Sequence, residues 1–297
     1  MAAHFVCLYA DQRIFPHPFN LPSQRGKTTQ SVAVKCKIDG SATLSENLPG
    51  KLVRGAEPDR NSPPQWYICG MRAVIVVGLA LLLASAASAQ TTVSFPTEDG
   101  GVIYGNLYGK GDRGVVLAHG GKFNKESWSK QAQILESHGF RVLALDFRGY
   151  GKSRGPGDSD SLSAPLELDV LAAVRYLHEK GAKSVSVVGG SMGASAAGDA
   201  SIASRPGEID RLVLLGGAPD GSAEKLKSPT LFIVARDDAS GDGPRLPRIQ
   251  EQFSRAPEPK ELIILDGSAH AQYLFETDQA ERVMNEILRF LSERPKS

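Results

Sequence analysis

Cysteine is nearly missing from this chain. Its 297 residues include three, Cys7, Cys36 and Cys69, all within the first seventy positions. From Gln90 onward no disulfide framework and no thiolate metal cluster can form, so that part must hold itself together by packing. Charge of one sign is equally scarce. Lys and Arg number 34 against 33 Asp and Glu, a formal net charge of +1, and no long basic block occurs. The electrostatic footprint of a nucleic-acid binder is therefore missing, and a small molecule is the expected partner. The spacings His-x-His and His-Glu-x-x-His do not occur after position 90, so neither a metal nor any other cofactor is expected. There is no internal repeat and no low-complexity segment. The one extended apolar run is roughly a dozen residues, against the roughly 20 that a membrane-spanning helix needs.

That short run has a meaning of its own. Met71-Arg72 leads into AVIVVGLALLLASAASAQ, a positive start followed by an apolar stretch and then small residues, the layout of a secretory signal peptide. Ala87-Ser88-Ala89 fits the cleavage rule and places the mature start at Gln90. Export to the periplasm or the medium is expected, with no stable membrane insertion after cleavage. A signal peptide belongs at an N-terminus, yet residues 1–70 precede this one, rich in Pro, Gly and polar residues and without sustained periodicity. The expectation is that Met71 is the true start and residues 1–70 are an upstream extension, disordered or not translated. The organisation expected is thus residues 1–70 as extension, 71–89 as signal peptide and 90–297 as one domain.

Hydrophobic residues make up 41% of the chain and charged residues 23%, ordinary for a globular protein with one sizeable core. After Gln90, short β-rich runs alternate with helical patterns. Extended segments are expected over residues 91–97, 102–108, 114–118, 141–146, 184–188, 211–215, 230–235 and 261–265. Several of them (VVLA, VLALDF, VSVV, LVLL, LFIVA, LIIL) are almost wholly apolar, as strands buried on both faces of a parallel sheet are. Leu166, Val170, Val174 and Leu177 recur at helical spacing, with Pro165 at the start and Gly181 just past the end. Ala280, Val283, Met284, Ile287 and Leu291 repeat the pattern near the C-terminus. The fold class this predicts is α/β: a three-layer α/β/α sandwich around a mostly parallel, eight-stranded sheet. The first two strands, joined by EDGG, should form a hairpin at its antiparallel edge. In open sheets of this kind ligands bind beyond the carboxyl ends of the strands, so the informative residues follow each strand directly.

Gly-x-Ser-x-Gly occurs twice, around Ser153 and around Ser191, so placement must decide between them. A nucleophile elbow needs a strand just before the serine and a helix just after it, because the sharp turn lifts the hydroxyl above the sheet edge. Ser191 has SVSVV before it and the helix-favouring ASAAGDASIA after it. Ser153 lies several residues past its strand and runs into Gly155-Pro156-Gly157. Ser191 is therefore the candidate nucleophile. A phosphate cradle fits these glycines poorly: VVGGSMGAS lacks the G-x-G-x-x-G spacing, and GYGKS has Asp146 where a P-loop needs its first glycine.

LAHGG, DFRGYGKS, GGSMG, VARDD and GSAH, in that order between Val102 and Leu291, resemble the α/β-hydrolase family. The resemblance implies a hydrolase in which serine, acid and histidine follow one another along the chain. A serine hydroxyl needs a base within hydrogen-bond reach and a carboxylate to orient that base. Four histidines follow the apolar run. His138 and His178 end helical patterns, where the helix dipole accounts for them. His119 comes too early for the family's order, which leaves His270 as the general base. The family places the acid after the strand TLFIVA, at the later carboxylate of Arg236-Asp237-Asp238, so Asp238 is the candidate and Asp237 the runner-up. The oxyanion hole implied by the resemblance is formed by the N–H groups of Met192 and Gly121, with His119 organising the HGG loop.

Many members carry a helical lid after the strand corresponding to RLVLLGG. Here GAPDGSAEKLKS leaves no room for one, and the chain is more similar to compact dienelactone-hydrolase-like and small-esterase members. A serine at the elbow sets aside the aspartate nucleophile used for epoxides and haloalkanes in this fold. The expected activity is hydrolysis of small-molecule carboxylic esters. Amide or peptide cleavage uses the same triad and stays open, as does a non-catalytic binding role for the fold. Trp128 and Tyr273 lie near the expected site loops, where packing accounts for them.

Overall fold

The apolar runs after Gln90 do pair into one sheet. A computed structural model describes residues 90–160 and 163–293. The upstream extension, the signal peptide and all three cysteines lie outside the described residues.

Eight strands, β1 (Thr91–Pro96), β2 (Val102–Tyr108), β3 (Arg113–Ala118), β4 (Phe140–Leu145), β5 (Ser184–Gly190), β6 (Leu212–Leu215), β7 (Thr230–Ala235) and β10 (Lys260–Leu265), form a sheet in the order β1-β2-β4-β3-β5-β6-β7-β10. β1 and β2 make the expected antiparallel hairpin, and β2 also runs antiparallel to β4. From β4 to β10 every pairing is parallel. β8 (Ala239–Ser240) and β9 (Gly243–Pro244) form a separate two-residue ladder that has no signal in the sequence.

Helices cover both faces. α1 (Ser129–Ser137) and α5 (Ala280–Ser292) lie on one side, and α2 (Leu166–Glu179), α3 (Met192–Ala203) and α4 (Leu246–Arg255) on the other. The period-two alternation of a strand divides the core between them. Val116, Val187, Leu214 and Phe232 lie on the face covered by α2, α3 and α4, while Val115, Val188, Val213 and Ile233 lie on the face covered by α1 and α5. All eight are at most 1% exposed, each stabilising the fold by roughly 1.5–3 kcal/mol. Pro165 caps α2 and Gly181 follows it at φ 94°, as its sequence pattern predicts. α4 was not foreseen, because only Ile249 of its residues is fully buried and its apolar spacing is sparse.

Strand ends differ from expectation by one or two residues. β4 stops at Leu145, so Asp146 is the first residue of the following loop. β5 continues through Gly190, which brings the strand directly up to Ser191. Between β6 and β7 the chain makes only the single 3-10 turn Ala223–Lys225. Behind β4, the fully buried Arg148 donates to Asp169 at 2.7 Å and to Asp99 at 2.6 Å, tying that loop to α2 and to the hairpin turn. Among the described residues, no helix is long and apolar enough to cross a membrane.

Candidate active site

β5 delivers Ser191 to a sharp turn. Its backbone sits at φ 53°, ψ −115°, a conformation sparsely populated by non-glycine residues and costing of order 1–3 kcal/mol unless its surroundings hold it. They do so by close approach. A Cβ on Gly189 would stand 2.2 Å from the Gly193 carbonyl oxygen, and one on Gly193 would stand 2.3 Å from that of Ala118. Only glycines on both sides let the turn close, which is the physical content of the Gly-x-Ser-x-Gly spacing. The other match serves packing: Ser153 is fully buried and its Oγ accepts the Tyr104 N–H at 2.9 Å.

Three loops at the carboxyl ends of the strands meet at Ser191. His270, from the loop after β10, places Nε2 2.7 Å from Ser191 Oγ and Nδ1 2.8 Å from Asp238 Oδ2. An ionised carboxylate can only accept, so Nδ1 carries the proton, and Nε2 is left to accept from the serine hydroxyl. Asp238 is 1% exposed, whereas Asp237 faces solvent. The structure thus brings Ser191, His270 and Asp238 into one hydrogen-bonded line and leaves Asp237 outside it.

The candidate oxyanion donors are the N–H groups of Met192 and Gly121. Met192 opens α3, so its N–H has no partner within the helix and sits at the positive end of the helix dipole. Gly121 is close by: a Cβ on it would lie 3.7 Å from Met192 Sδ. Its loop is organised by His119, which is fully buried. His119 Nε2 accepts the Phe147 N–H at 3.2 Å, so Nδ1 carries the proton and donates to the Gly120 carbonyl at 2.9 Å. Burial holds this imidazole below its ordinary pKa, which keeps it neutral. The other two histidines among the described residues bond elsewhere: His138 Nδ1 bonds the Ile134 carbonyl, and His178 bridges the Ala182 and Glu208 carbonyls.

A cleft of about 320 Å³ opens beside Ser191, walled by Met192, Glu167, Asp199, Arg245 and Arg248. Trp128 and Tyr273 are not part of that wall. Trp128 is fully buried and makes a T-shaped contact with Phe275, and Tyr273 packs on Phe123 at a ring separation of 5.0 Å. Three site residues escaped sequence reasoning. Gly216 sits at φ 59° beneath the His270 ring; the pair LLGG at a strand end was its only signal. Arg245 places Nε 3.4 Å from Asp238 Oδ1, the carboxylate oxygen that His270 leaves free. Gln272, 5% exposed, accepts the Gly120 N–H at 2.7 Å. Among the described residues, no three His, Cys, Asp or Glu side chains are grouped to hold a metal ion.

Comparison with known proteins agrees with this architecture. Residues 114–296 match the family described as alpha/beta hydrolase fold. A non-heme chloroperoxidase from Streptomyces lividans is 32% identical over 151 residues, which is 50% of this chain and 48% of that protein. A 2-hydroxy-6-oxononadienedioate/2-hydroxy-6-oxononatrienedioate hydrolase from Burkholderia vietnamiensis is 32% identical over 178 residues, 59% of this chain and 58% of that one. The chain therefore spans about half the length of the curated relatives it matches. Among solved structures, the Pyrococcus furiosus esterase Pf2001 superposes with a TM-score of 0.57 at 22% identity, covering 69% of this chain and 94% of the esterase. Dienelactone hydrolase from Anabaena variabilis gives 0.55 at 21%, covering 68% and 96%. At such identities these likenesses establish the fold alone.

Proposed function

Since the chain belongs to the alpha/beta hydrolase fold family, we propose that it is a serine hydrolase that cleaves small carboxylic esters through an acyl-enzyme. The observation that carries this reading is the continuous line Ser191 Oγ, His270 Nε2, His270 Nδ1, Asp238 Oδ2, with links of 2.7 and 2.8 Å.

In the first step His270 Nε2 takes the hydroxyl proton as Ser191 Oγ attacks the ester carbonyl, and a tetrahedral oxyanion forms. The buried Asp238 carboxylate stabilises the imidazolium that results. The Met192 and Gly121 N–H groups receive the oxyanion; one such donor contributes about 3–4 kcal/mol to transition-state stabilisation. His270 then returns the proton to the leaving alcohol, and the carbon–oxygen bond breaks. Water, activated by the same imidazole, attacks the acyl-serine, releases the acid and restores the hydroxyl.

The cleft supports a small, polar substrate. Its volume is about 320 Å³, and Glu167, Asp199, Asp220, Arg245 and Arg248 all line it; a long alkyl chain would have to desolvate those groups without replacing their hydrogen bonds. Initial rates on short p-nitrophenyl esters and on aminoacyl anilides, measured side by side, test the reading. Ester turnover that disappears in Ser191→Ala is expected, and a strong preference for the anilides would turn the assignment to amide cleavage.

A further inference from the structure

Gln272 lies two residues past His270, on the 3-10 turn Ala271–Glu276, and its side-chain amide reaches across to the loop after β3. There its Oε1 accepts the Gly120 N–H at 2.7 Å, across 152 residues of sequence. Its Nε2 donates to Ser127 Oγ at 2.6 Å, and Ser127 Oγ donates in turn to the Asn124 carbonyl at 2.5 Å. The orientation is unambiguous. A backbone N–H only donates, so the amide oxygen must face Gly120, and the serine hydroxyl has spent its own proton, so it accepts from the amide nitrogen.

The location gives this satisfied amide more than a packing role. The bond to Gly120 N–H fixes the peptide before the one that carries the Gly121 N–H. In that next peptide the Gly120 carbonyl is held by His119 Nδ1 and by the Phe123 N–H, both at 2.9 Å. A trans peptide points its N–H opposite to its carbonyl, so two fixed peptides in succession set the direction of the Gly121 N–H. The Gln272 side chain also passes close to the elbow: a Cβ built on Gly190 would be in van der Waals contact, 3.4 Å, with Gln272 Cγ and Oε1. At the rim the same two loops are bridged again by Phe123 and Tyr273.

We propose that Gln272 is a positioning residue for the reaction, its amide locking the loop that carries the oxyanion donor to the loop that carries the base. Nucleophile elbow, base and oxyanion donor then hold one fixed separation. This inference rests on the serine-hydrolase reading. A misplacement of about 1 Å in such a constellation costs on the order of a hundredfold in rate.

The test is steady-state kinetics of Gln272→Met, close in volume but without an acceptor or donor for these partners, on p-nitrophenyl butyrate. Binding of an alkyl trifluoromethyl ketone, which forms a tetrahedral adduct with an active serine, is measured alongside. The expected result is a kcat lowered about ten- to a hundredfold, KM within threefold of wild type, and ketone affinity reduced in parallel with kcat. Ser127→Ala, which frees the amide from its anchor, should lower kcat about threefold to tenfold at unchanged KM; it decides the matter if Gln272→Met does not fold. Folded Gln272→Met with kcat and ketone affinity within twofold of wild type would overturn the proposal, as would an unimpaired Ser127→Ala where Gln272→Met fails to fold. A wild-type protein inert toward esters and the ketone alike would overturn the hydrolase reading and this inference with it, an outcome distinct from either variant result.

Discussion

Gly216 lies directly against His270: a Cβ placed on Gly216 would stand 3.1 Å from His270 Nδ1, and 3.2 Å from the Asp238 Oδ2 that this nitrogen bonds. The glycine at the end of β6 thus forms the floor on which imidazole and carboxylate meet. Its φ of 59° would also cost a residue with a side chain about 1–2 kcal/mol. Gly216→Ala is expected to fold with a somewhat lower melting temperature and to lose about ten- to a hundredfold in kcat, because the imidazole is pushed off line. Melting curves and ester kinetics on the same preparation check this; full activity would show that the ring has room to spare.

The two neighbouring carboxylates should separate cleanly. Asp238 is 1% exposed and bonds His270 at 2.8 Å, while Asp237 faces solvent. Asp238→Asn leaves an amide that can donate to Nδ1 and so favours the wrong tautomer. We expect kcat to fall about 10³- to 10⁴-fold. Asp237→Asn should stay within threefold of wild type. Equal losses in the two variants would contradict the arrangement.

Acyl-chain length provides a third test. The cleft of about 320 Å³ is lined by five ionisable side chains, so p-nitrophenyl acetate and butyrate should exceed the decanoate in kcat/KM by at least about tenfold. A rate that rises steadily with chain length beyond eight carbons would mean that the acyl group lies elsewhere.

His119 makes stability depend on pH. Burial holds its pKa below 6.5 in the folded protein. Above that pH the group is neutral in both states and contributes no pH dependence. As the pH falls below 6.5 the unfolded chain takes up a proton that the folded chain refuses, and stability declines by up to about 1.4 kcal/mol per pH unit from this group. Urea unfolding at pH 7.5, 6.0 and 5.0 should show that decline in the wild type and a shallower one in His119→Asn. Identical slopes would show that the buried ring titrates normally.

What was readable from the residues alone follows the range over which each constraint acts. The eight strands of the main sheet and the helix over 166–179 were legible because periodicity and capping are local. Ser191 was legible for the same reason, since its turn leaves no room for a side chain two residues before or two residues after it. Strand ends slipped by a residue or two where the apolar run and the hydrogen-bond ladder stop at different places, as at Asp146 and Gly190. Choosing between Asp237 and Asp238 needed a family resemblance, because adjacent carboxylates in a loop look alike until burial distinguishes them. Gln272, Gly216 and Arg245 left almost no trace. Their partners are Gly120, His270 and Asp238, and no spacing rule connects residues that meet only once the sheet has formed.

Ser191 is the group that must attack. The most direct measurement is reaction of the folded protein with a fluorophosphonate, followed by peptide mass spectrometry and an ester assay on the same sample. The expected result is one adduct, on Ser191, with turnover lost in proportion to labelling, and a Ser191→Ala protein of near-wild-type melting temperature that neither labels nor turns over. An adduct on another residue, or ester turnover that persists in Ser191→Ala, would contradict it.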